Sequence, residues 1–253
     1  MINSIMYKAN LIFLDTETTG LGKEDRLCQV AYKFQGEESE SLFKPPVPIS
    51  VESMSVAHVT NKMVAGKEAF IDSKMFNELK EIFEKDNILV AHNAVFDAEM
   101  LKKEGLEIKK MIDTFKIAHY LDHQGEIPKY NLQYLRYYFE FDIVDAPAHN
   151  ALGDIRVLEV IFDYYFEKML TIKSTPEAAI LEMIKISAEP ILIRKFNFGK
   201  YSGQWVEEVA KKDAGYLKWL LGEKNKAREN GEDEDTNWIY TLRYHLNEKP
   251  TLF

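Results

Sequence analysis

The amino-acid sequence predicts an α/β fold: a mixed five-stranded sheet flanked by helices, followed by a small C-terminal α+β unit. Three observations lead there. Three short apolar runs joined by brief connections open the chain, the pattern of an antiparallel meander. Helical stripes then alternate with short buried runs, giving the order βββ, α, β, α, β, α, α, which suits a mixed sheet covered by helices. Lastly, the charge changes sign. Residues 191–226 carry eight Lys/Arg against four Asp/Glu, whereas the whole chain of 253 residues stands at −9.

The first strand is predicted over residues 10–17, an apolar run stopped by the Gly20/Gly22 loop. Residues 26–35 and 39–44 follow as strands, the second halted by Pro45-Pro46. Apolar residues at 75, 76, 79, 82 and 83 form a helical stripe over 73–85. Residues 87–92 read as a buried strand, 94–104 as a helix, and 111–114 as a short strand entering a helix that ends near Leu121. Helical periodicity returns over 131–139 and 151–169. These elements define a predicted catalytic domain over 1–170, and residues 171–190 a connector that is mostly one helix, Pro176 to about Ala188. The remainder, 191–253, forms the small basic unit. It is expected to begin β-rich around Gly199 and Gly203, continue in two short helical runs to Leu221, and close with a helix over 236–247.

With 46% hydrophobic residues the chain can build a sizeable core, and 29% charged residues argue against disorder. Cys28 is the single cysteine, so no internal disulfide calls for an oxidising compartment. The apolar segment Leu11–Leu14 is too short to span a bilayer and does not read as a signal peptide, so a cytoplasmic location without membrane contact is expected. An acidic balance excludes a nonspecific nucleic-acid coat. It leaves room for an enzyme acting on nucleic acid, because bound metals neutralise the acids where phosphate must approach.

The chemistry lies in three acidic signals: Asp15-Thr16-Glu17-Thr18-Thr19-Gly20, Asp97 in His92-Asn93-Ala94-Val95-Phe96-Asp97, and Asp154 in His149-Asn150-Ala151-Leu152-Gly153-Asp154. Each lies in an apolar stretch, where an ionised acid is costly unless paired. Asp15 and Glu17, two apart on a strand, point to one face. Asp97 shares a helix stripe with Ala94, Met100 and Leu101, and Asp154 shares one with Leu158, Ile161 and Tyr165. Solvation explains neither, and helix capping explains each only singly. Four converging acids call for two divalent cations, and a histidine nearby points to phosphodiester hydrolysis. His149 titrates in the range of a general base.

These signals, in this order, resemble exonuclease motifs I, II and III of the DEDDh 3′–5′ exonucleases, the DnaQ-like group within the ribonuclease H-like fold, over residues 8–168. The resemblance implies that Asp15, Glu17, Asp97 and Asp154 hold two metal ions and that His149 takes a proton from the attacking water. Oxygen-only ligation favours Mg²⁺ or Mn²⁺ over zinc. It further implies a nucleic-acid substrate with a free 3′ end, DNA in the leading reading, and release of 5′-mononucleotides in repair or processing. Thr18 and Gly20 lie where a terminal nucleotide would approach. His58, in Ala57-His58-Val59-Thr60, resembles a family segment near that nucleotide, with Val59 where glycine is common. Asn93 is open to a substrate bond or to a bond within its own loop. Asp113 is better explained as an N-cap. Alternatives are a proofreading subunit with a polymerase or repair partner, an RNA-trimming nuclease, and a non-catalytic module binding nucleic-acid ends; the complete five-residue set disfavours the last.

The C-terminal segments Phe198–Gly203 and Ala210–Leu221 resemble the small domain of exonuclease X-like proteins. Two uses stay open for it: a compact core with ordinary surface lysines, or an auxiliary nucleic-acid grip through Lys195, Lys200, Lys211 and Lys212.

Overall fold

A computed structural model describes residues 8–144, 151–230 and 235–248. Its centre is β1 (Leu11–Thr18), whose first four residues are all buried. Strands β2 (Leu27–Phe34), β3 (Glu37–Leu42), β4 (Ile88–Ala91) and β5 (Met111–Asp113) complete a five-stranded sheet in the order β3-β2-β1-β4-β5. β1, β2 and β3 pair antiparallel, and β4 and β5 pair parallel. Two-sided burial explains why β4, Ile-Leu-Val-Ala, shows no alternation.

The two faces of β1 are covered differently. Ile12 and Leu14 join a core with Met75, Leu79 and Phe83 of α3 (Lys74–Glu84) and Met100 and Leu101 of α4 (Ala94–Lys103). Each such fully buried side chain contributes roughly 1.5–3 kcal/mol. On the other face Phe13 meets Phe162 edge-on at 5.4 Å. Phe162 belongs to the 23-residue helix α7 (Ala151–Lys173). By the two-residue period of a strand, Asp15 and Glu17 share the face that α7 covers. The helix runs four residues beyond the predicted Met169, to a residue in the left-handed region at Ser174, φ 66°.

Between β3 and α3 lie two helices that periodicity did not reveal, α1 (Val51–Ala57) and α2 (Asn61–Val64). Their caps make them. Ser50 accepts from Ser53 N–H and Thr60 from Met63 N–H, while Val51 and Val56 face outward and leave no apolar stripe. Beyond β5 come α5 (Thr114–Leu121), α6 (Leu132–Tyr138) and α8 (Pro176–Ala188). Ser187 of α8 accepts the Asp113 N–H at 2.8 Å, and Lys116 donates to its carbonyl. The described residues up to Ser187, apart from His119–Pro128, therefore cluster with the sheet.

The second unit takes His119–Pro128 and the described residues from Ala188 onward. It contains α9 (Val206–Lys212), α10 (Ala214–Glu229) and α11 (Thr236–His245). The β-rich opening predicted for it is corrected to a single antiparallel bridge between Lys195 and Trp205. A 3₁₀ turn at Gly199–Tyr201 and Gly203 at φ 82° reverse the chain too soon for a longer ladder. Phe196 stacks on Trp238 with ring centroids 5.0 Å apart, and Tyr201, Leu217 and Leu242 complete the core. Among the described residues no helix is long and apolar enough to cross a membrane.

Candidate active site

β1 delivers Asp15 and Glu17, α4 delivers Asp97 and the first turn of α7 delivers Asp154. Asp97 is buried, and Thr16 Oγ1 donates to its Oδ1 at 2.7 Å, linking positions 81 residues apart. Asp154 Oδ1 accepts from Nε2 of Gln133 on α6. The acids sense one another. Burial, then the charges of Asp97, Glu17 and Asp154, push the Asp15 carboxyl well above its ordinary range. Burial and Asp154 raise Glu17 to about 7. Burial also raises Asp97 to about 7, against the Thr16 bond and with help from the Asp113 charge. Among the described residues no lysine or arginine is a leading cause of any of these three shifts.

Hard carboxylate donors with suppressed ionisation are what a divalent cation relieves, so the residues fit such ions chemically. Among the described residues, however, no three His, Cys, Asp or Glu side chains are gathered into a coordination cluster. Asp97 is engaged by Thr16 and Asp154 by Gln133. His149 lies outside the described residues.

The remaining predicted residues fall in two places. Thr18 is buried, and its hydroxyl donates to the Gly20 carbonyl at 2.7 Å. A Cβ at Gly20 would meet the Asp25 carboxylate at 2.6–2.8 Å. That carboxylate accepts from Thr19 Oγ1 and from Gly22 N–H, so the bare glycine lets the loop close on itself. His58 and Asn93 are exposed and left-handed, at φ 56° and 68°. His58 ends α1 with its N–H on the Met54 carbonyl. The Asn93 N–H donates to Asp113 Oδ1 at 2.9 Å. Asp113 also accepts from Phe115 N–H, the capping bond of α5.

Three supporting residues escaped the sequence reading. Thr16 was visible inside the first motif but had no readable partner. Gln133 reaches Asp154 across 21 residues, and its buried Oε1 has no hydrogen-bond partner among the described residues. His92 Nε2 lies 2.7 Å from the Tyr130 carbonyl and Nδ1 lies 2.9 Å from Thr114 Oγ1. Burial pushes its pKa down to about 4, so it holds the end of β4 to the approach of α6 as a neutral ring.

Comparison with known proteins adds an independent line. The family model described as Exonuclease matches residues 12–162, and one described as Exodeoxyribonuclease X-like C-terminal matches residues 196–225. Exodeoxyribonuclease 10 of Escherichia coli K12 is 29% identical over 220 residues, covering 83% of this chain and 90% of that protein. DNA polymerase III subunit epsilon of Treponema pallidum is 32% identical over 161 residues, 58% of this chain and 72% of that one. Among solved structures, exonuclease X in complex with 5′-overhanging duplex DNA superposes with a TM-score of 0.53 at 25% identity. That match covers 70% of this chain and 99% of the solved one.

Proposed function

The chain belongs to this exonuclease family, and on that premise we propose that it hydrolyses DNA from free 3′ ends, releasing 5′-mononucleotides. The observation carrying the reading is the patch of half-buried Asp15 and Glu17 and buried Asp97, whose carboxyls are pushed up by burial and by neighbouring acids, with no lysine or arginine paired to them among the described residues. Support for DNA comes from exodeoxyribonuclease 10 and from exonuclease X, whose solved structure holds duplex DNA.

Asp15, Glu17, Asp97 and Asp154 would hold two divalent cations, Mg²⁺ or Mn²⁺. Bound there, such ions offset phosphate charge, acidify a water molecule and stabilise the leaving oxygen. His149 accepts the proton from the attacking water, a role suited to an imidazole near neutrality. Thr16 and Gln133 fix the carboxylates of Asp97 and Asp154 before substrate arrives. Exposed Asn93 and His58 offer side chains to the terminal nucleotide. The Thr18–Gly20 turn offers backbone there, since the Thr18 hydroxyl is already spent.

The test is digestion of 5′-labelled and 3′-labelled oligonucleotides, DNA beside RNA, with Mg²⁺ or with chelator. Stepwise shortening of DNA from the 3′ end, dependent on Mg²⁺, is the expected result. Faster shortening of RNA would move the reading to an RNA-trimming enzyme, and intact strands under all conditions would overturn it.

A further inference from the structure

The C-terminal unit contains a cleft of about 760 Å³, the scale of a small-ligand site, whose lining includes Arg194, Trp205, Glu207, Lys211, Tyr244 and His245. Its walls are held by backbone. Val206 N–H donates to the Arg194 carbonyl at 2.8 Å, Phe196 N–H donates to the Gln204 carbonyl at 2.9 Å, and Lys195 bridges to Trp205. Behind the indole runs the turn 122–127. Asp122 accepts there from the Glu126 and Ile127 N–H groups, and Gly125, at φ 58°, leaves so little room that a Cβ would sit 3.2 Å from the Trp205 ring.

Several cations of this unit differ in how they are held. Lys200 is bound to Asp213 and lies over the Tyr201 and Tyr216 rings, while Lys224 and Lys226 pair with Asp235 and Glu223. Among the described residues no carboxylate pairs with Arg194 or with Lys195, whose ammonium lies 4.5 Å from the Trp205 ring centroid and donates to the Gly125 carbonyl. Lys211 pairs with Glu207 one helical turn away, both exposed, an arrangement that holds a lysine only weakly. Arg194 and Lys211 against Glu207 leave the lining positive, with Lys195 beside it, on a chain whose net charge is −9. Tyr244 keeps 53% of its surface exposed, and Trp205 is half-buried.

Cations beside available aromatic faces are the chemistry that binds nucleotides, phosphate on one and base on the other. We propose that this cleft is a second nucleotide-binding site, with Arg194 and Lys211 of its lining and the neighbouring Lys195 receiving phosphate and Trp205 and Tyr244 receiving a base. The nucleotide belongs to a single strand or is the free mononucleotide. The site is distinct from the acidic patch and does not depend on hydrolysis.

The experiment uses the full chain in chelator, where the uncompensated acids repel phosphate. Fluorescence anisotropy then follows a labelled oligothymidylate of about 12 nucleotides across a salt series, with thymidine 5′-monophosphate as competitor. Binding with a measurable salt slope is expected. The double variant Arg194→Gln/Lys195→Gln should reduce that slope by about 1.4, since each phosphate contact on a single strand contributes about 0.7. Tyr244→Ala, at an exposed position, should weaken binding by about fivefold or more through lost stacking. Displacement by the monophosphate at concentrations matching the oligonucleotide's own affinity assigns the cleft to the free nucleotide; failure to displace assigns it to the strand. Unchanged affinity and slope in both variants, or no binding by the wild type, would overturn the proposal.

Discussion

Two groups of acids flank α7, and the protein treats them in opposite ways. Away from its first turn, Glu159 meets Lys33 at 2.7 Å and Lys8 at 3.1 Å, Lys8 also reaches Asp163, and Arg156 meets Glu38. Burial pushes the Glu159 carboxyl up, but the two ammonium groups outweigh it and hold the group below its ordinary range; at Asp163 burial outweighs Lys8 and the carboxyl stays raised. At the first turn and across β1, burial acts on Asp15, Glu17 and Asp97 with no such counterweight, and their carboxyls rise. The lesson is about purpose. Acids that fasten a helix to a sheet come with their cations built in, whereas the acids proposed to hold divalent cations do not.

Five measurements break or sharpen that contrast. The largest effect is expected for Asp15→Asn, which should bring hydrolysis down to background. Its metal-free thermal midpoint should hold or rise, because one repelling charge is gone. Near wild-type turnover would remove Asp15 from the ion site. His149→Ala should slow hydrolysis by about 10²–10⁴-fold while calorimetry still detects cation binding, as befits proton transfer rather than ligation. Loss of cation binding would instead make the histidine structural support.

Gln133→Ala should lower activity or cation affinity by about 10–100-fold, the usual size for a residue that orients a ligand. A wild-type cation titration and rate would show that its bond to Asp154 is incidental. The fourth effect is a pH dependence. Glu17 and Asp97 bind protons more tightly when folded, with pKa values raised to about 7. In chelator their contribution to stability is therefore full below about pH 4 and fades as pH rises through about 7. Saturating Mg²⁺ should abolish this fall; melting curves from pH 4 to 8 with and without Mg²⁺ decide it. Smallest is Glu159→Gln, which should reduce stability by about 1 kcal/mol and leave turnover intact. A large loss of turnover would mean that the two acidic groups are not separable.

By itself the sequence determined the sheet, its helical cover and the identity of the acids, because these rest on local signals. Two-residue alternation, apolar stripes and the Asp15-Thr16-Glu17-Thr18-Thr19-Gly20 motif need no knowledge of distant neighbours. The short helices Val51–Ala57 and Asn61–Val64 escaped for the complementary reason: they stand on single capping hydroxyls and lack a periodic face. Tertiary structure decided which polar side chains serve the acids. Thr16 finds Asp97, Gln133 finds Asp154, and Lys8 and Lys33 find Glu159 only once remote segments pack together. It also divided the basic C-terminal lysines, which composition treats alike, into those bound to Asp213, Glu223 and Asp235 and those left beside Trp205. A side chain's charge is written in the sequence, but its partner is set by distance, and distance exists only in the folded chain.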